Sequence, residues 1–252
     1  MHWRELLKAS ELFYKYERRA TYYNSYMQDK NWTALEPGEV PNGEVERLFL
    51  FLKKWGTQFL PVGTQAIAGF QQSYRKVYYL LNEIEGERIE TIDFGKQVLG
   101  GLSHTQVIAE IFDSIAYCFG NNKRESVAAS KILHTVNPNL FVMWNSDIYF
   151  CGYGLLAGGY QYAKYFLPQM QDEAFFAIDE YVKERHCNQM AAIKGITRLA
   201  EVRFLTKLLD EWNYCKFNNK MRQRIQEGEG KSLDTILSEC NESYRIDTQN
   251  AY

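Results

Sequence analysis

The stretch NPNLFVMWNSDIY, residues 137–149, places an apolar run between two groups of polar side chains. Pro138 ends any helix that approaches it from the N-terminal side. Residues 140–144, LFVMW, then form an apolar segment suited to a core, and Asn145, Ser146 and Asp147 follow it directly. A buried segment with this ending delivers an amide and a carboxylate to one point, which predicts either a capping site or a functional site there.

Helical periodicity dominates the chain on both sides of this stretch. Ser103 and Gln106 form a capping-box pattern at the start of one such helix. Only the segment RIETIDF, residues 88–94, is a candidate for extended structure, so we predict an all-α fold. The helical patterns cover residues 43–56, about 64–84, 103–119, about 123–136, 160–167, 172–186 and 195–213.

The domain organisation predicted from these patterns is simple. Residues 31–44 form a loop rich in proline and glycine, which either separates an N-terminal helical piece from the rest or lies on the surface. We expect a single helical domain over residues 1–240 and a polar C-terminal tail over residues 241–252.

Composition limits the classes of function. The 252 residues carry 29 Lys and Arg against 31 Asp and Glu, a net charge of -2, so any nucleic-acid site must be a local basic patch. The five cysteines form no C-x-x-C pair, and the chain shows neither a signal-peptide pattern nor an apolar run of 18 residues. We therefore expect a soluble, cytoplasmic protein without a membrane segment. The 15% aromatic content fits either a ring-filled helical core or stacking surfaces.

The order of features from residue 103 to residue 148 resembles the helix-hairpin-helix DNA glycosylase superfamily. A helix runs into a polar hairpin at residues 120–123, a second helix follows, and a proline turn and an apolar run lead to a polar residue that opens another helix. The hairpin lysine of the superfamily falls at or near Lys123, and its aspartate falls on Asn145. The resemblance implies a helical bundle with a helix-hairpin-helix-like unit at residues 104–148, either as one body or as two helical subdomains with a cleft between them.

Two departures from the superfamily pattern change what the resemblance implies. The hairpin lacks the L-P-G-x-G signature, as in the divergent 8-oxoguanine glycosylase branch, and an asparagine stands where the aspartate is expected. Cleavage of an N-glycosidic bond develops positive charge on the deoxyribose, which a nearby carboxylate stabilises. Either Asn145 orients a water molecule, or Asp147 supplies the charge. Asp147 is equally consistent with an acid that only stabilises a helix N-terminus.

Lys131 is the third candidate catalytic residue. Ala and Leu or Ile flank it in AASKILH, so partial desolvation can make its amine a nucleophile near neutral pH. A Schiff base with the sugar would add strand cleavage, a lyase activity, to base removal. The alternative is an ordinary lysine on the helix surface.

The candidate DNA contacts fall into three groups. Backbone and side-chain groups at the start of a helix suit a phosphate, and these are Asn121, Asn122, Lys123 and Arg124. The basic stretch at residues 216–224 suits the DNA backbone through Lys216, Lys220 and Arg222. Trp144 and Tyr149 are the candidates for a base pocket. Each basic group is also consistent with a solvated turn or helix face. No metal site and no cofactor is expected, because the histidines lack spaced partners.

The first functional hypothesis is a DNA glycosylase that flips a modified base out of double-stranded DNA and leaves an abasic site. The resemblance most directly implies an oxidised purine such as 8-oxoguanine. The altered Asn145 position and the region at residues 149–165, rich in tyrosine and glycine, favour a bulky base such as the glucosylated 5-hydroxymethylcytosine of phage DNA, hence a role in antiviral defence. The alternatives are a non-catalytic nucleic-acid-binding protein derived from a glycosylase and a helical protein-interaction module. No obligate protein partner is inferred.

Overall fold

The computed structural model describes residues 1–30, 40–57, 63–119, 123–201 and 204–249, with side chains described as far as Asn241. Every regular element in these ranges is helical, and the β-type pairing within them is one isolated bridge between Gln97 and Ser103. The all-α prediction is confirmed. Residues 88–94, the candidate strand, form turns instead, and the Ile89 amide there donates to the carbonyl oxygen of Asn139 at 2.9 Å.

The described residues form twelve α-helices. In chain order they are α1 (Trp3–Tyr16), α2 (Ala20–Asp29), α3 (Asn42–Lys54), α4 (Thr64–Glu83), α5 (His104–Ala116), α6 (Ser126–Val136), α7 (Gly159–Gln161), α8 (Leu167–Arg185), α9 (Gln189–Leu199), α10 (Leu205–Phe217), α11 (Asn219–Glu229) and α12 (Leu233–Gln249). Two π-helical segments, π1 (Asp147–Gly152) and π2 (Tyr162–Phe166), complete the list together with a short 3₁₀ turn at Leu99–Gly101.

The chain comprises two compact units. The central unit is Arg19–Gln169, and the terminal unit combines Met1–Arg18 with Met170–Tyr252. The region expected from the sequence to be a single domain, residues 1–240, therefore contains both. The resemblance to glycosylases covers a part of the central unit alone.

Helix α5 organises the core of the central unit and packs against α4, α6 and α7. Its capping box forms as predicted: the Ser103 hydroxyl accepts from the Gln106 amide, and the Gln106 side chain accepts from the Ser103 amide. Its buried face is made by Val107, Ile108, Ile111, Phe112 and Ile115. Burial of each such side chain contributes about 1.5–3 kcal/mol to folding, an upper estimate.

The start of α7 approaches the backbone of α5 closely. A Cβ atom on Gly159 would lie 2.1 Å from the carbonyl oxygen of Ala109, so only glycine fits there. The preceding residue, Gly158, has a φ of +143°, which also favours glycine. The Gly158-Gly159 pair thus has a packing role.

The terminal unit is built mainly on the packing of α1 against α10. Leu6 and Phe13 on α1 and Leu208 on α10 are buried there. A cluster of charged side chains lies inside the same unit: Lys207 Nζ is 2.8 Å from Asp210 Oδ2 and 3.2 Å from Glu211 Oε1, and all three residues are buried.

Several predicted boundaries are wrong in detail. The helix predicted over residues 195–213 is two helices, because α9 ends at Leu199 and Glu201 takes a left-handed φ of +56° before α10 begins at Leu205. Helix α6 begins at Ser126 rather than near Lys123. Helix α12 continues past residue 240, where the sequence suggested the beginning of a polar tail. Residues 31–39 of the predicted loop lie outside the described residues.

Candidate functional site

Asn137 anchors the turn that begins the stretch at residues 137–149. Its side-chain amide donates to the carbonyl oxygens of Ile84, Glu85 and Glu87, at 3.0, 3.2 and 3.0 Å. Its side-chain oxygen accepts from the Asn139 amide at 3.1 Å. One buried side chain therefore satisfies three carbonyl groups at the end of α4 and fixes where the apolar run starts.

The apolar run is buried throughout, and Trp144 at its end is tied to α6. The Ser130 hydroxyl lies 3.2 Å from the Trp144 amide nitrogen, which donates to it, and 3.3 Å from the Trp144 carbonyl oxygen. The Trp144 indole donates to the carbonyl oxygen of Ser126 at 3.2 Å. Tyr162 of π2 adds a 2.6 Å hydrogen bond to the carbonyl oxygen of Val142. These hydrogen bonds hold the apolar run, residues 140–144, in place. We call this run the mount, because the residues that follow extend from it.

Asn145 acts as a helix cap. Its side-chain oxygen accepts from the Ile148 amide at 2.9 Å, and its carbonyl oxygen accepts from the Tyr149 amide at 2.9 Å. The side-chain NH₂ group makes no hydrogen bond to the residues that the structure describes. Asn145 is half-buried, so this donor lies at the edge of the mount and is available to a ligand.

Asp147 is the first residue of π1 and is also half-buried. A carboxylate in the first turn of a helical segment is favourable because the backbone N–H groups there carry partial positive charge. The apolar run thus brings an amide and a carboxylate to neighbouring positions, as its sequence predicts.

Two π-helical segments lie next to these residues. The Trp144 ring contacts Tyr149 of π1 at 4.7 Å between centroids, and contacts Phe166 of π2 at 5.2 Å. The Tyr153 ring, directly after π1, also contacts Phe166, at 5.6 Å. π-Helical turns cost stability and occur often at functional sites. This part of the central unit is therefore a candidate functional site.

Lys131 is placed differently from both expectations. Its side chain is buried, and Nζ donates to the carbonyl oxygen of Trp55 at 2.8 Å and lies 3.4 Å from the Thr57 hydroxyl. It is therefore neither a surface lysine nor an amine open to a sugar carbon. The proposed Schiff-base role is corrected on this ground: an ammonium group that satisfies a buried carbonyl is inaccessible to substrate.

Trp144 is not available as a wall of a base pocket, which corrects the second expectation. Its side chain is only 1% exposed, and the rings of Phe112, Tyr149, Tyr162 and Phe166 enclose it. Tyr149 is half-buried, and burial raises the pKa of its phenol. Of the two pocket candidates, only Tyr149 reaches the surface.

His134 takes part in the core that supports the mount. Its Nδ1 lies 2.6 Å from the carbonyl oxygen of Phe141, and its Nε2 lies 2.7 Å from the Tyr23 hydroxyl. Because a carbonyl oxygen only accepts, Nδ1 carries a hydrogen and donates to Phe141. The His134 ring thus links α2, α6 and the apolar run.

The basic candidates belong to both compact units. Asn121 and Asn122 lie outside the described residues. Lys123 is exposed, whereas Arg124 donates to the carbonyl oxygen of Ala157 at 2.8 Å and lies 3.7 Å from the Asp113 carboxylate. Arg124 is therefore partly committed to holding the loop before α7, rather than available only to a phosphate.

The second basic group belongs to the terminal unit, whereas Asn145 belongs to the central unit. Lys216 lies over the Trp212 ring at 4.2 Å, and Arg222 is 3.2 Å from Asp234. Lys220 is exposed on α11. A helix face that carries its own counterion is the plainest description of Arg222.

A groove of about 490 Å³ in the central unit is lined by residues of α4 and α5 and the turn after α5, among them Lys76, Asp113 and Tyr117, but neither Asn145 nor Asp147 lines it. Among the described residues, no three His, Cys, Asp or Glu side chains are grouped closely enough to hold a metal ion.

The sequence analysis singled out residues 149–165 as rich in tyrosine and glycine, but it did not predict which of their rings are exposed. Phe150, Tyr160 and Tyr165 are exposed although they flank the buried rings of the core. The signal was available: residues 148–166 contain seven aromatic residues and no Asp or Glu. What the sequence could not provide is which of these rings point outward.

Comparisons of the chain with protein-family models, curated proteins and solved structures find no significant match. The resemblance to helix-hairpin-helix glycosylases is carried by residues 103–148 alone. Within the described residues, none of the helices pairs the length and the apolar composition that spanning a lipid bilayer requires.

Proposed function

We propose that this protein is a DNA glycosylase that removes a modified base by hydrolysis and has no lyase activity. The observation that carries the proposal is the rigid buried run that ends in a half-buried amide, Asn145, and a half-buried carboxylate, Asp147. In this proposal the Asp147 carboxylate stabilises the positive charge that develops on the deoxyribose. Asn145 fixes the helix start with its oxygen and offers its NH₂ group to the substrate.

The proposal assigns the charge to Asp147 because the Asn145 side chain is neutral and its oxygen already serves as a cap. Preorganisation by the mount matters here, since a charge-stabilising group is effective only where it does not have to reorganise. The proposed activity does not include strand cleavage by a lyase step, because Lys131 Nζ is buried against the Trp55 carbonyl oxygen. We also propose that α5, α6 and the apolar run form a helix-hairpin-helix unit, because they follow one another in the order that such a unit has.

The substrate class in this proposal is duplex DNA with a modified base, either an oxidised purine such as 8-oxoguanine or glucosylated 5-hydroxymethylcytosine. Both require the base to leave the helical stack before it meets the protein. The bulky base fits a site at the surface better than a closed pocket, because Trp144 is buried and does not line a pocket.

The test is an assay for abasic sites. The purified protein is incubated with duplexes that contain normal bases, 8-oxoguanine, uracil or glucosylated 5-hydroxymethylcytosine, and alkali then cleaves any abasic site. Asp147→Asn should lower the excision rate about 100- to 1,000-fold, because it removes the charge but retains the shape. Glu110→Gln is the matched control: it removes one exposed carboxylate from α5 of the same unit and should leave the rate unchanged.

A second candidate function is a non-catalytic nucleic-acid-binding protein. One observation favours it: Asn145, Lys131 and Trp144, three of the residues expected to act on substrate, each have a structural hydrogen bond. DNA binding without abasic sites on any duplex of the panel would select this candidate over the glycosylase.

A further inference from the structure

The central unit exposes an unusual set of side chains just after the candidate site. Phe150 is 62% exposed, Leu156 67%, Tyr160 56% and Tyr165 46%. Together with the exposed Lys164 we call this set the aromatic surface. Exposed rings of this size cost hydration free energy, and when several occur together they mark a binding surface more often than single exposed apolar residues do.

Local main-chain hydrogen bonds close the turn at the end of π1, the segment that carries Phe150. The Gly154 amide donates to the carbonyl oxygen of Phe150 at 3.1 Å, and the Leu155 amide donates to that of Tyr149 at 2.7 Å. The rings of Tyr160 and Tyr165 contact each other edge to face, with their centroids 5.9 Å apart. The rings are therefore presented from a folded segment.

The loop between π1 and α7 is also anchored to α5 and to the residues before α6. Arg124 donates to the carbonyl oxygen of Ala157, and the Gly159 amide donates to the Asp113 carboxylate at 2.9 Å. A surface held in this way loses little conformational entropy when a ligand binds. This preorganisation favours stacking on the rings over collapse of the rings onto each other.

The charge on and around the aromatic surface is suited to a polyanion. Residues 148–166 contain no acidic residue, and Lys164 is the charged residue among them. The Arg124 guanidinium is joined to this segment through its hydrogen bond to Ala157. Asp147 directly precedes this segment, and the Asp113 carboxylate contacts Gly159 and Arg124. Rings interleaved with cations are what sequence-tolerant binding of single-stranded nucleic acid uses.

We infer that the aromatic surface binds an unpaired DNA strand, whose bases stack on Phe150, Tyr160 and Tyr165 while Lys164 contacts a phosphate. The inference deepens the proposed function and rests on it for the choice of DNA as the nucleic acid. A strand opened beside the excised nucleotide would be held by this surface, next to Asn145 and Asp147.

The test measures binding separately from excision. A fluorescein-labelled oligothymidine of 20 nucleotides is titrated with the protein, and the fluorescence anisotropy is followed at several salt concentrations. Phe150→Ala, Tyr160→Ala and Tyr165→Ala should each weaken binding about 5- to 150-fold, the range for loss of one stacked base. Lys164→Gln should flatten the salt dependence, because one phosphate contact is lost.

Two further variants make the result specific. Tyr79→Ala removes an exposed ring from α4 of the same unit and should leave binding unchanged. Phe150→Leu retains apolar area but loses the ring, so it should weaken binding nearly as much as Phe150→Ala if stacking is the cause. Circular dichroism confirms that each variant is folded.

The outcomes separate this inference from the proposed function. Oligothymidine binding that depends on the three rings supports the inference even if no duplex yields an abasic site. If the protein excises a base and the three ring variants bind oligothymidine as tightly as the natural protein does, the inference is overturned. The proposed function is then unaffected. Absence of oligothymidine binding overturns the inference too, as does concentration-dependent self-association that Phe150→Ala abolishes, which would make the surface a contact between copies of the chain.

Discussion

The side-chain oxygen of Asn145 accepts a hydrogen bond from the Ile148 amide at 2.9 Å. Asn145 therefore has a structural role as a helix cap. An aspartate can cap in the same way, so capping alone does not explain why asparagine stands here. In the proposed mechanism the neutral Asn145 side chain leaves charge stabilisation to Asp147.

The capping role predicts the stability of two Asn145 variants. Asn145→Ala should lower the free energy of unfolding by about 1 kcal/mol, because the cap is lost. Asn145→Asp should unfold like the natural protein in urea, because a carboxylate oxygen accepts from the same amide. Equal stability of Asn145→Ala and the natural protein would contradict the cap.

Ser130 should matter more than its size suggests. Its hydroxyl accepts from the buried Trp144 amide, and Ser130→Ala leaves that donor unsatisfied at a cost of about 1–3 kcal/mol. The control is Ser146→Ala, which alters an exposed hydroxyl next to the same run and should change stability by less than about 0.5 kcal/mol. Urea unfolding of the two variants measures the difference, and similar values would mean that the mount is not held by Ser130.

Lys131 should not form a covalent complex with substrate. Because Nζ is buried against the Trp55 carbonyl oxygen, borohydride reduction of a mixture with abasic DNA should trap no protein–DNA adduct. Gel electrophoresis detects such an adduct directly. An adduct that disappears in Lys131→Met would show that the lysine reaches the sugar and would restore the lyase hypothesis.

The buried charges of the terminal unit predict a pH dependence of stability. Burial raises the pKa of the Glu211 carboxyl above its ordinary value, and the nearby Lys207 ammonium opposes this shift. A raised pKa means that the folded state holds the proton more tightly than the unfolded state. The stability this provides is present below about pH 4.5, the ordinary glutamate value, and is lost as the pH rises from there through the folded-state pKa.

Glu211→Gln tests that sign. The variant cannot ionise, so its stability relative to the natural protein should increase as the pH is raised above about 4.5. Thermal unfolding at intervals from pH 4 to pH 8 provides the comparison, with Glu227→Gln on the exposed face of α11 as the control. If the stability of Glu211→Gln relative to the natural protein decreases as the pH rises, the ion pair between Lys207 and the ionised Glu211 dominates instead.

Local signals in the sequence were sufficient for much of the fold. The capping box of Ser103 and Gln106 predicts where α5 begins, since a cap depends on residues three positions apart. The apolar run before Asn145 predicts burial, because removing five consecutive apolar side chains from water is favourable. The break after Leu199 was missed because no proline marks it and Glu201, not glycine, takes the left-handed conformation.

The candidate site was harder to predict because its contacts are distant in sequence. Buried Lys131 donates a hydrogen bond to the carbonyl oxygen of Trp55, 76 positions away, and no local sequence pattern predicts that contact. The buried Lys207, Asp210 and Glu211 have the spacing of an exposed charged helix face, so only the packing of α1 reveals their burial. Trp144 and Phe150 are both large apolar residues near Asn145, and only the three-dimensional structure shows that one is inside and the other outside.

The excision rate of Asp147→Asn, relative to the natural protein and to Glu110→Gln, tests the central proposal most directly. On the duplex from which the natural protein releases a base, the proposal predicts that Glu110→Gln retains full activity and that Asp147→Asn forms abasic sites about 100- to 1,000-fold more slowly. Equal rates for all three proteins, or the absence of abasic sites on every duplex of the panel, would contradict it.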